Sequence, residues 1–303
     1  MIRERDRETE GSGGGGEMAN AQDTDEFYYD TDDAFNFYME CWGGENVHIG
    51  LYPDNFVPAV DGVREASMAS LELLLDKVAA NLEGKGAAGK AMDMGSCYGG
   101  CARRIVARFG SEVLCVELSK KENEVNRARN KAANLEHLVK CPKELSFLDT
   151  EAESGAYDCV VSQDSFLHAG KERGGVLKES FRVLKPGGRL VFTDIMQSDS
   201  VDPRELAAVY QRIGLEDMGS PSSYVKWGEE AGLKFVGFTD MSPQMITHYG
   251  SLHVLLTEWK ANDRFKGKVS DAYIEAMLSG LEQWVKHGKA GNLAWGYAEF
   301  IKP

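Results

Sequence analysis

The stretch KAMDMGSCYGG, Lys90–Gly100, decides the fold of this chain. It opens as an apolar, strand-like segment that carries one acid, Asp93. It then breaks into a turn that contains three glycines, Gly95, Gly99 and Gly100. Glycine lets the backbone take left-handed angles and come close to a ligand. The stretch therefore predicts a strand that ends in a tight, ligand-binding turn.

The segments after this turn complete a βαβ unit. A predicted helix, Cys101–Phe109, follows the turn, and a second short strand, Val113–Val116, ends on Glu117. In nucleoside-binding βαβ units the acid after the second strand holds the two ribose hydroxyls. We therefore expect a nucleoside cofactor beside Asp93 and Glu117.

The glycine spacing favours one nucleoside cofactor over another. Gly95-x-Cys97-x-x-Gly100 departs from the dinucleotide pattern GxGxxG, because cysteine stands in place of the middle glycine. A Cβ there obstructs the close approach that the pyrophosphate of NAD requires. S-adenosylmethionine (SAM) has no phosphate, and its cationic sulfonium suits a site with two acids. The turn thus favours SAM, with NAD as the alternative.

Composition limits the kinds of partner and the cellular compartment that we expect for this chain. The chain has 303 residues and a formal net charge of −14. Phosphate binding needs clustered Lys and Arg, so we expect no nucleic-acid or anionic-membrane partner. The six cysteines are scattered without metal-binding spacing, which is typical of reduced thiols and predicts no metal site. We find no apolar run as long as a membrane span, so we expect a cytoplasmic protein.

Changes in composition divide the chain into three parts. Residues 1–26 are charged and glycine-rich, which predicts a disordered tail. Residues 27–65 are dense in aromatic residues without a regular period, which is poor material for a regular core element. We interpret them as a lid folded over a ligand, with packing on the domain surface as the alternative. Residues 66–303 form the predicted cofactor-binding domain.

Helical and strand patterns alternate along this third part. The further predicted helices are Ala66–Leu82, Lys120–Ala133, Lys171–Leu184, Met241–Asn262 and Val269–His287. The further predicted strands are Leu138–Cys141, Tyr157–Ser162, Arg189–Thr193, Leu233–Thr239 and Asn292–Ile301. The alternation indicates an α/β fold with a doubly wound parallel sheet, whose last strand can enter antiparallel.

The order of the motifs resembles a known class of enzyme. An acid-x-Gly turn, an acid after the second strand, an SF pair and LKPGG before a later strand follow one another within Ala91–Thr193. This order resembles the class I SAM-dependent methyltransferases. The resemblance implies a Rossmann-like, seven-stranded, mostly parallel sheet with helical insertions, and SAM as the cofactor.

A narrower resemblance extends over most of the chain. The segments that carry it are Tyr29–Tyr52, Ser162–Gly170, Leu184–Asp199 and Arg212–Tyr224. They resemble the sarcosine/dimethylglycine N-methyltransferases, which make the osmoprotectant glycine betaine. The resemblance implies a small amine partner and methylation of sarcosine and N,N-dimethylglycine by direct displacement. The alternatives are a methyltransferase for another small amine, phospho-base or sulfur nucleophile, and a catalytically silent SAM-binding protein. The oligomeric state stays open.

The resemblance also implies which residues hold SAM. The implied set is Asp93, Gly95, Ser96, Gly99, Glu117, Leu118, Ser146, Phe147 and Gln163. The glycines and their neighbours approach the methionine part, and Glu117 binds the ribose hydroxyls. Leu118 lies on the adenine, Ser146 and Phe147 bracket its edge, and Gln163 lies near the amino-acid group.

The reaction itself requires further residues. A bound amine must lose its proton, and His168 is the candidate base or proton relay, with proton loss to solvent as the alternative. A methylated ammonium is stabilised by aromatic faces. The candidates are Tyr28, Tyr29, Phe37, Tyr38, Trp42, Tyr210 and Tyr224, of which Tyr29 and Trp42 are the preferred pair. Met196 is a candidate for the pocket wall. His48, Arg212 or backbone near Trp42 could donate to a substrate carboxylate.

Overall fold

The computed structural model describes residues 31–42 and 44–303. The predicted tail, residues 1–26, and the candidates Tyr28 and Tyr29 lie outside the described residues, as does the side chain of Arg212.

The aromatic segment at the start of the described chain forms a helix, α1 (Asp32–Cys41). Thr31 caps it by accepting a hydrogen bond from the amide of Ala34 at 3.1 Å. Our expectation of no regular core element here was wrong, because Phe37, Tyr38 and Cys41 recur at helical spacing and are buried.

Seven strands form one sheet. They are β1 (Lys90–Met94), β2 (Glu112–Val116), β3 (Val139–Lys140), β4 (Tyr157–Gln163), β5 (Leu184–Gln197), β6 (Lys234–Asp240) and β7 (Leu293–Ile301). Their order is β3-β2-β1-β4-β5-β7-β6. Neighbours from β3 to β5 run parallel, and β7 runs antiparallel to β5 and β6. The predicted mostly parallel sheet with an antiparallel last strand is confirmed.

Helices connect these strands. They are α2 (Val60–Leu82), α3 (Gly100–Phe109), α4 (Lys120–Ala132), α5 (Arg173–Val183), α6 (Ala207–Arg212), α7 (Pro221–Glu230), α8 (Ser242–Ala261) and α9 (Asp271–Lys289). Helix α2 begins ahead of the predicted Ala66 and crosses the expected boundary at residues 65 and 66. The division into lid and domain stays a prediction.

The helix before the motif LKPGG ends where the sequence predicts: α5 ends at Val183, and Gly187 takes a left-handed turn with a φ of +77°. Strand β5 begins at Leu184, which pairs with Tyr157 of β4, and the glycines that follow pair with the C-terminal end of the chain. The amide of Gly187 donates to the carbonyl of Lys302 at 2.8 Å, and the amide of Lys302 donates to the carbonyl of Gly188 at 2.9 Å. These bonds join the motif to the C-terminal end of the chain.

Each face of the sheet carries its own apolar cluster. Alternation along β5 sends Val191 and Ile195 to one cluster and Leu190 and Phe192 to the other. Residues of α1, α2, α3, α8 and α9 pack on the first face, and residues of α5 and α7 pack on the second. The order of strands reverses at β1, which has β2 on one side and β4 on the other. In open α/β sheets ligands bind at such a point, beyond the carboxyl ends of the strands.

Candidate active site

Three adjoining cavities lie beyond the carboxyl ends of β1, β2 and β4. Cavity A is lined by, among others, Val47, Gly95, Glu117, Leu118, Ser146, Phe147, Gln163, Asp164 and His168. Cavity B is lined by, among others, Tyr38, Trp42, Val47, His48, Asp164, His168, Tyr249 and Trp284. Cavity C is lined by, among others, Glu45, Val47, His48, Asp93, Gly95, Ser96, Cys97 and Gln163. Val47 lines all three cavities, which therefore meet beside it.

The turn after β1 needs its glycines. Gly95 has a φ of +76°, and a Cβ there would lie 2.2 Å from Oγ of Ser165. Gly99 has a φ of +79°, and its Cβ would lie 2.0 Å from Oδ1 of Asn126. The lack of a side chain at Gly99 therefore makes room for the side chain of Asn126. Gly99 itself does not line any of the three cavities.

Cys97 also adopts a left-handed backbone, with a φ of +46°, which is unfavourable for a residue with a Cβ. Its amide donates to Oε2 of Glu117 at 3.0 Å, and its thiol donates to Oε1 of Glu122 at 3.3 Å. Oε1 of Glu117 accepts from the amide of Ser119, also at 3.0 Å. The carboxylate at the end of β2 is therefore fixed against the glycine-rich turn.

Apolar side chains form the outer end of cavity A. Leu118 is half-exposed, and Phe147 packs edge-on against Phe166 with ring centroids 6.0 Å apart. Ser146 precedes Phe147, and its hydroxyl accepts from the amide of Leu148. This end offers an apolar slot beside the Glu117 carboxylate.

Cavity C collects buried polar atoms that lack a hydrogen-bond partner in the described part of the chain. These atoms are Oδ1 of Asn46, Oδ2 of Asp93, Oγ of Ser96 and both amide atoms of Gln163. Burial raises the pKa of Asp93 to about 7, and the charge of Glu117 acts in the same direction. Buried polar atoms are normally paired, so this mixture of donors and acceptors indicates a polar, partly charged ligand.

Cavity B is walled by aromatic rings. Trp42 meets Tyr249 edge-on at 6.0 Å, and Tyr249 stacks on Trp284 at 5.4 Å. Burial lowers the pKa of His48. Burial and the charge of Arg173 lower the pKa of His168 to about 4. Cavity B thus joins two neutral imidazoles to a set of aromatic faces.

Our sequence reasoning missed three residues of the site. Tyr249 and Trp284 belong to the buried faces of α8 and α9, where aromatic residues at helical spacing are read as core. Asp164 follows the predicted strand Tyr157–Ser162 closely but was not selected as a candidate. Its oxygens accept from the amide of Ile49 and the indole of Trp295, each at 2.7 Å, and burial raises its pKa. Its position after β4 was the available signal.

Several predicted residues are not brought to these cavities. Tyr224 donates its hydroxyl to Asp194 and packs with Met196 in the cluster on the second face of the sheet. Tyr210 donates its hydroxyl to Oε1 of Gln197 at 2.6 Å. Arg212 precedes Ile213, which lines cavity B. The structure therefore gives Met196, Tyr210 and Tyr224 packing or structural contacts.

Comparison with known proteins identifies the family. A sequence profile described as "Methyltransferase domain" matches residues 92–192. The sarcosine/dimethylglycine N-methyltransferase of Halorhodospira halochloris is 38% identical over 277 residues, which cover 91% of this chain and 94% of that protein. The chain belongs to this family. The corresponding enzyme of Aphanothece halophytica is 37% identical, with 91% of this chain and 95% of that protein covered.

Solved structures agree with this family assignment. A crystal structure described as a candidate sarcosine dimethylglycine methyltransferase from Galdieria sulphuraria matches with a TM-score of 0.80 at 33% identity, over 89% of this chain and 98% of that chain. A geranyl diphosphate methyltransferase in complex with SAM has a TM-score of 0.66 at 17% identity, over 84% of this chain and 98% of that chain, which supports the fold alone.

Family membership confirms that the chain is a methyltransferase with SAM as its cofactor. The residues present fit this cofactor. The orphaned polar atoms of cavity C suit an amino-acid group, which carries both donors and acceptors, and the slot of cavity A suits a nucleoside. No described helix is long and apolar enough to cross a membrane.

Proposed function

We propose that the chain methylates sarcosine and N,N-dimethylglycine, and so produces glycine betaine. One observation carries this proposal. An aromatic cavity suited to a small ammonium group, cavity B, adjoins the cofactor cavity A, and Asp164 and His168 line both. The names of the relatives that cover most of this chain support the same substrates.

In this proposal SAM lies along cavities A and C. Glu117 accepts hydrogen bonds from the ribose hydroxyls, each contributing about 1.5–3 kcal/mol if charge-assisted. Leu118, Ser146 and Phe147 surround the adenine. Asp93, Ser96 and Gln163 bind the amino-acid group, since their orphaned atoms supply the donors and acceptors that it requires. Gly95 keeps the turn close to the ligand.

The cofactor supplies an activated methyl group, and the protein supplies position. Holding an amine in line with the methyl carbon can contribute an effective molarity on the order of 10⁵–10⁸ M. The walls of cavity B provide this restraint, because they are buried and packed on α1, α8 and α9. Displacement then needs a free lone pair on the nitrogen.

The aromatic walls also suit the product. Betaine carries a fixed positive charge and has no N–H to donate, so ring faces are its natural partners. Each face contributes about 0.5–2 kcal/mol, and the larger values apply where water is excluded. Trp42, Tyr249 and Trp284 supply such faces in cavity B. The indole N–H of Trp42 is buried without a partner in the described part of the chain, which supports it as a donor to the substrate carboxylate.

His168 lines cavities A and B, which supports a contact with the substrate. Its role as the general base stays a prediction. Arg173 acts against it, because a nearby positive charge disfavours the imidazolium that proton transfer creates.

We also propose a cytoplasmic location and a small-molecule partner without nucleic acid. All six cysteines are free thiols, as is typical of reducing compartments. The net charge of −14 disfavours binding to phosphate backbones.

The test is a substrate panel with the purified full chain and SAM. Dimethylglycine should give betaine and S-adenosylhomocysteine by mass spectrometry, and sarcosine should give dimethylglycine followed by betaine. Phosphoethanolamine serves as the rival acceptor. If SAM binds in a calorimeter but no methylated glycine turns over, the substrate proposal is rejected while the fold stands.

A further inference from the structure

We propose that His48 accepts the proton of the substrate ammonium and is the general base of the reaction. This inference rests on the proposed function, because it concerns an amine bound in cavity B. Three observations carry it: the tautomer of the His48 ring, its position between two cavities, and the charges around it.

The tautomer follows from one hydrogen bond. Nδ1 of His48 lies 3.1 Å from the carbonyl oxygen of Ile49. A carbonyl oxygen can only accept, so Nδ1 carries the hydrogen, and Nε2 of the neutral ring presents its lone pair. Nε2 is buried and has no hydrogen-bond partner in the described part of the chain. A neutral ring in this tautomer can take a proton at Nε2 but cannot donate to a carboxylate, contrary to the role we first considered for His48.

The position of the ring suits proton transfer at the reacting nitrogen. His48 lines cavity B, where the amine binds, and cavity C, which holds the amino-acid end of the cofactor. Its backbone is fixed on both sides. The carbonyl of His48 accepts from Oγ of Ser67 at 3.3 Å, and the amide of Ile49 donates to Oδ2 of Asp164 at 2.7 Å.

The surrounding charges favour His48 over His168. Burial lowers the pKa of His48, so its ring is neutral and ready to accept, while the charge of Asp164 opposes this shift and stabilises the imidazolium. The positive charge of Arg173 has the opposite effect on His168, because it lowers the pKa of that ring and so destabilises its imidazolium. Other titratable groups share these surroundings: Tyr38, His168 and Tyr249 in cavity B, Glu45, Asp93, Cys97 and Cys101 in cavity C, and His248 of α8 nearby.

The proton balance is closed. An aliphatic ammonium such as that of lysine has a pKa of about 10, so the amine arrives protonated at neutral pH. The proton moves from nitrogen to Nε2 of His48, and the freed lone pair forms the new N–C bond as the bond from the methyl carbon to sulfur breaks. After product release His48 returns the proton to solvent, which accounts for the one proton produced per turnover.

Two variants test this assignment by kinetics. His48→Asn keeps a donor near the position of Nδ1 and removes the base, and His48→Gln places an amide near the position of Nε2. We expect each to lower kcat by about 10²-fold or more, the usual contribution of a general base, with little change in KM. We also expect the rate to rise steadily with pH, since only amine deprotonated in solution reacts. The exposed His137→Asn is the matched control and should retain full activity.

A second readout needs no turnover. Nitrogen-15 NMR of the wild-type complex with S-adenosylhomocysteine should show one imidazole that is neutral with hydrogen on Nδ1, and this signal should vanish in His48→Asn. Unchanged binding of S-adenosylhomocysteine by calorimetry shows that the variants are folded. An Nε2–H tautomer in the wild type overturns the proposal, as does a folded His48 variant within about threefold of wild-type kcat while His168→Asn is inactive. Absence of any turnover by the wild type rejects the substrate proposal instead and leaves the NMR result standing.

Discussion

Trp295 of β7 donates its indole N–H to Oδ1 of Asp164 across 2.7 Å. Thr193 of β5 donates its hydroxyl to the same oxygen across 2.8 Å. Asp164 lines cavities A and B, and its other oxygen holds the amide of Ile49, next to His48. The sheet therefore fixes the carboxylate that anchors the N-terminal segment to the site.

The hydrogen bond from Thr193 to Asp164 can be removed without changing the shape of the Thr193 side chain. Thr193→Val leaves the buried Asp164 carboxylate with one donor fewer, and we expect the free energy of unfolding to fall by about 1.5–3 kcal/mol. Urea unfolding measures it. Thr257→Val, at an exposed position of α8, is the matched control and should stay within about 0.5 kcal/mol of wild type. If both variants lose the same free energy of unfolding, the hydrogen bond to Asp164 contributes no more stability than that of an exposed threonine.

Glu117 should dominate recognition of the ribose. Glu117→Ala removes the carboxylate that is fixed between the amides of Cys97 and Ser119, and we expect the Kd for SAM to rise at least about tenfold, or about 1.4 kcal/mol. Titration calorimetry measures the Kd. Glu112→Ala, at the opposite end of β2, is the control and should bind SAM as wild type does. Unchanged affinity in Glu117→Ala would remove this residue from the site.

The aromatic wall of cavity B should recognise positive charge. We expect wild-type protein to bind betaine more tightly than 3,3-dimethylbutyrate, in which a neutral tert-butyl group replaces the trimethylammonium, because a ring face contributes about 0.5–2 kcal/mol to a cation. Trp284→Leu should reduce this preference by a similar amount, as measured by calorimetry with S-adenosylhomocysteine present. Trp227→Leu, which packs against Tyr224 on the second face, is the control. A preference that survives Trp284→Leu intact would count against the cation–π role.

Asp93 should make the stability of the ligand-free protein depend on pH. Burial raises its pKa from 3.8 to about 7. Between about pH 4 and 7 the folded protein holds a proton that the unfolded chain has lost, so stability falls as the pH rises through this window. Asp194, whose pKa burial also raises to about 7, contributes with the same sign.

Asp93→Asn isolates the contribution of Asp93. Urea unfolding at several pH values in this window should show that the free energy of unfolding declines less steeply for the variant than for wild type, because the proton held by Asp93 no longer contributes. The control is Asp54→Asn, at an exposed position. Its free energy of unfolding should decline with rising pH as that of the wild type does. A parallel decline in wild type and Asp93→Asn would contradict the buried, protonated carboxyl.

Local sequence patterns were sufficient for much of the fold. The glycine-rich turn, the acid after β2 and the alternation of apolar runs predicted the βαβ unit and the antiparallel last strand, because backbone angles and side-chain periodicity act over a few residues. The predictions that failed concern segments whose structure depends on contacts with distant parts of the chain. Helix α1 is stabilised by burial against α8 and α9, and β5 begins ahead of the predicted Arg189 because Leu184 pairs with Tyr157 and the glycines pair with Lys302.

By itself the sequence determined the fold class, and it pointed to Gly95, Glu117 and Gln163 as candidates because they follow strand ends within one contiguous unit. Only the tertiary structure decided the lining of cavity B. Trp42, His48, Asp164 and Trp284 come together from separate elements, and the ring tautomer of His48 depends on a bond to the backbone of Ile49. Packing that brings remote helices over one edge of a sheet has no local signature, and this is why Tyr249 and Trp284 were overlooked.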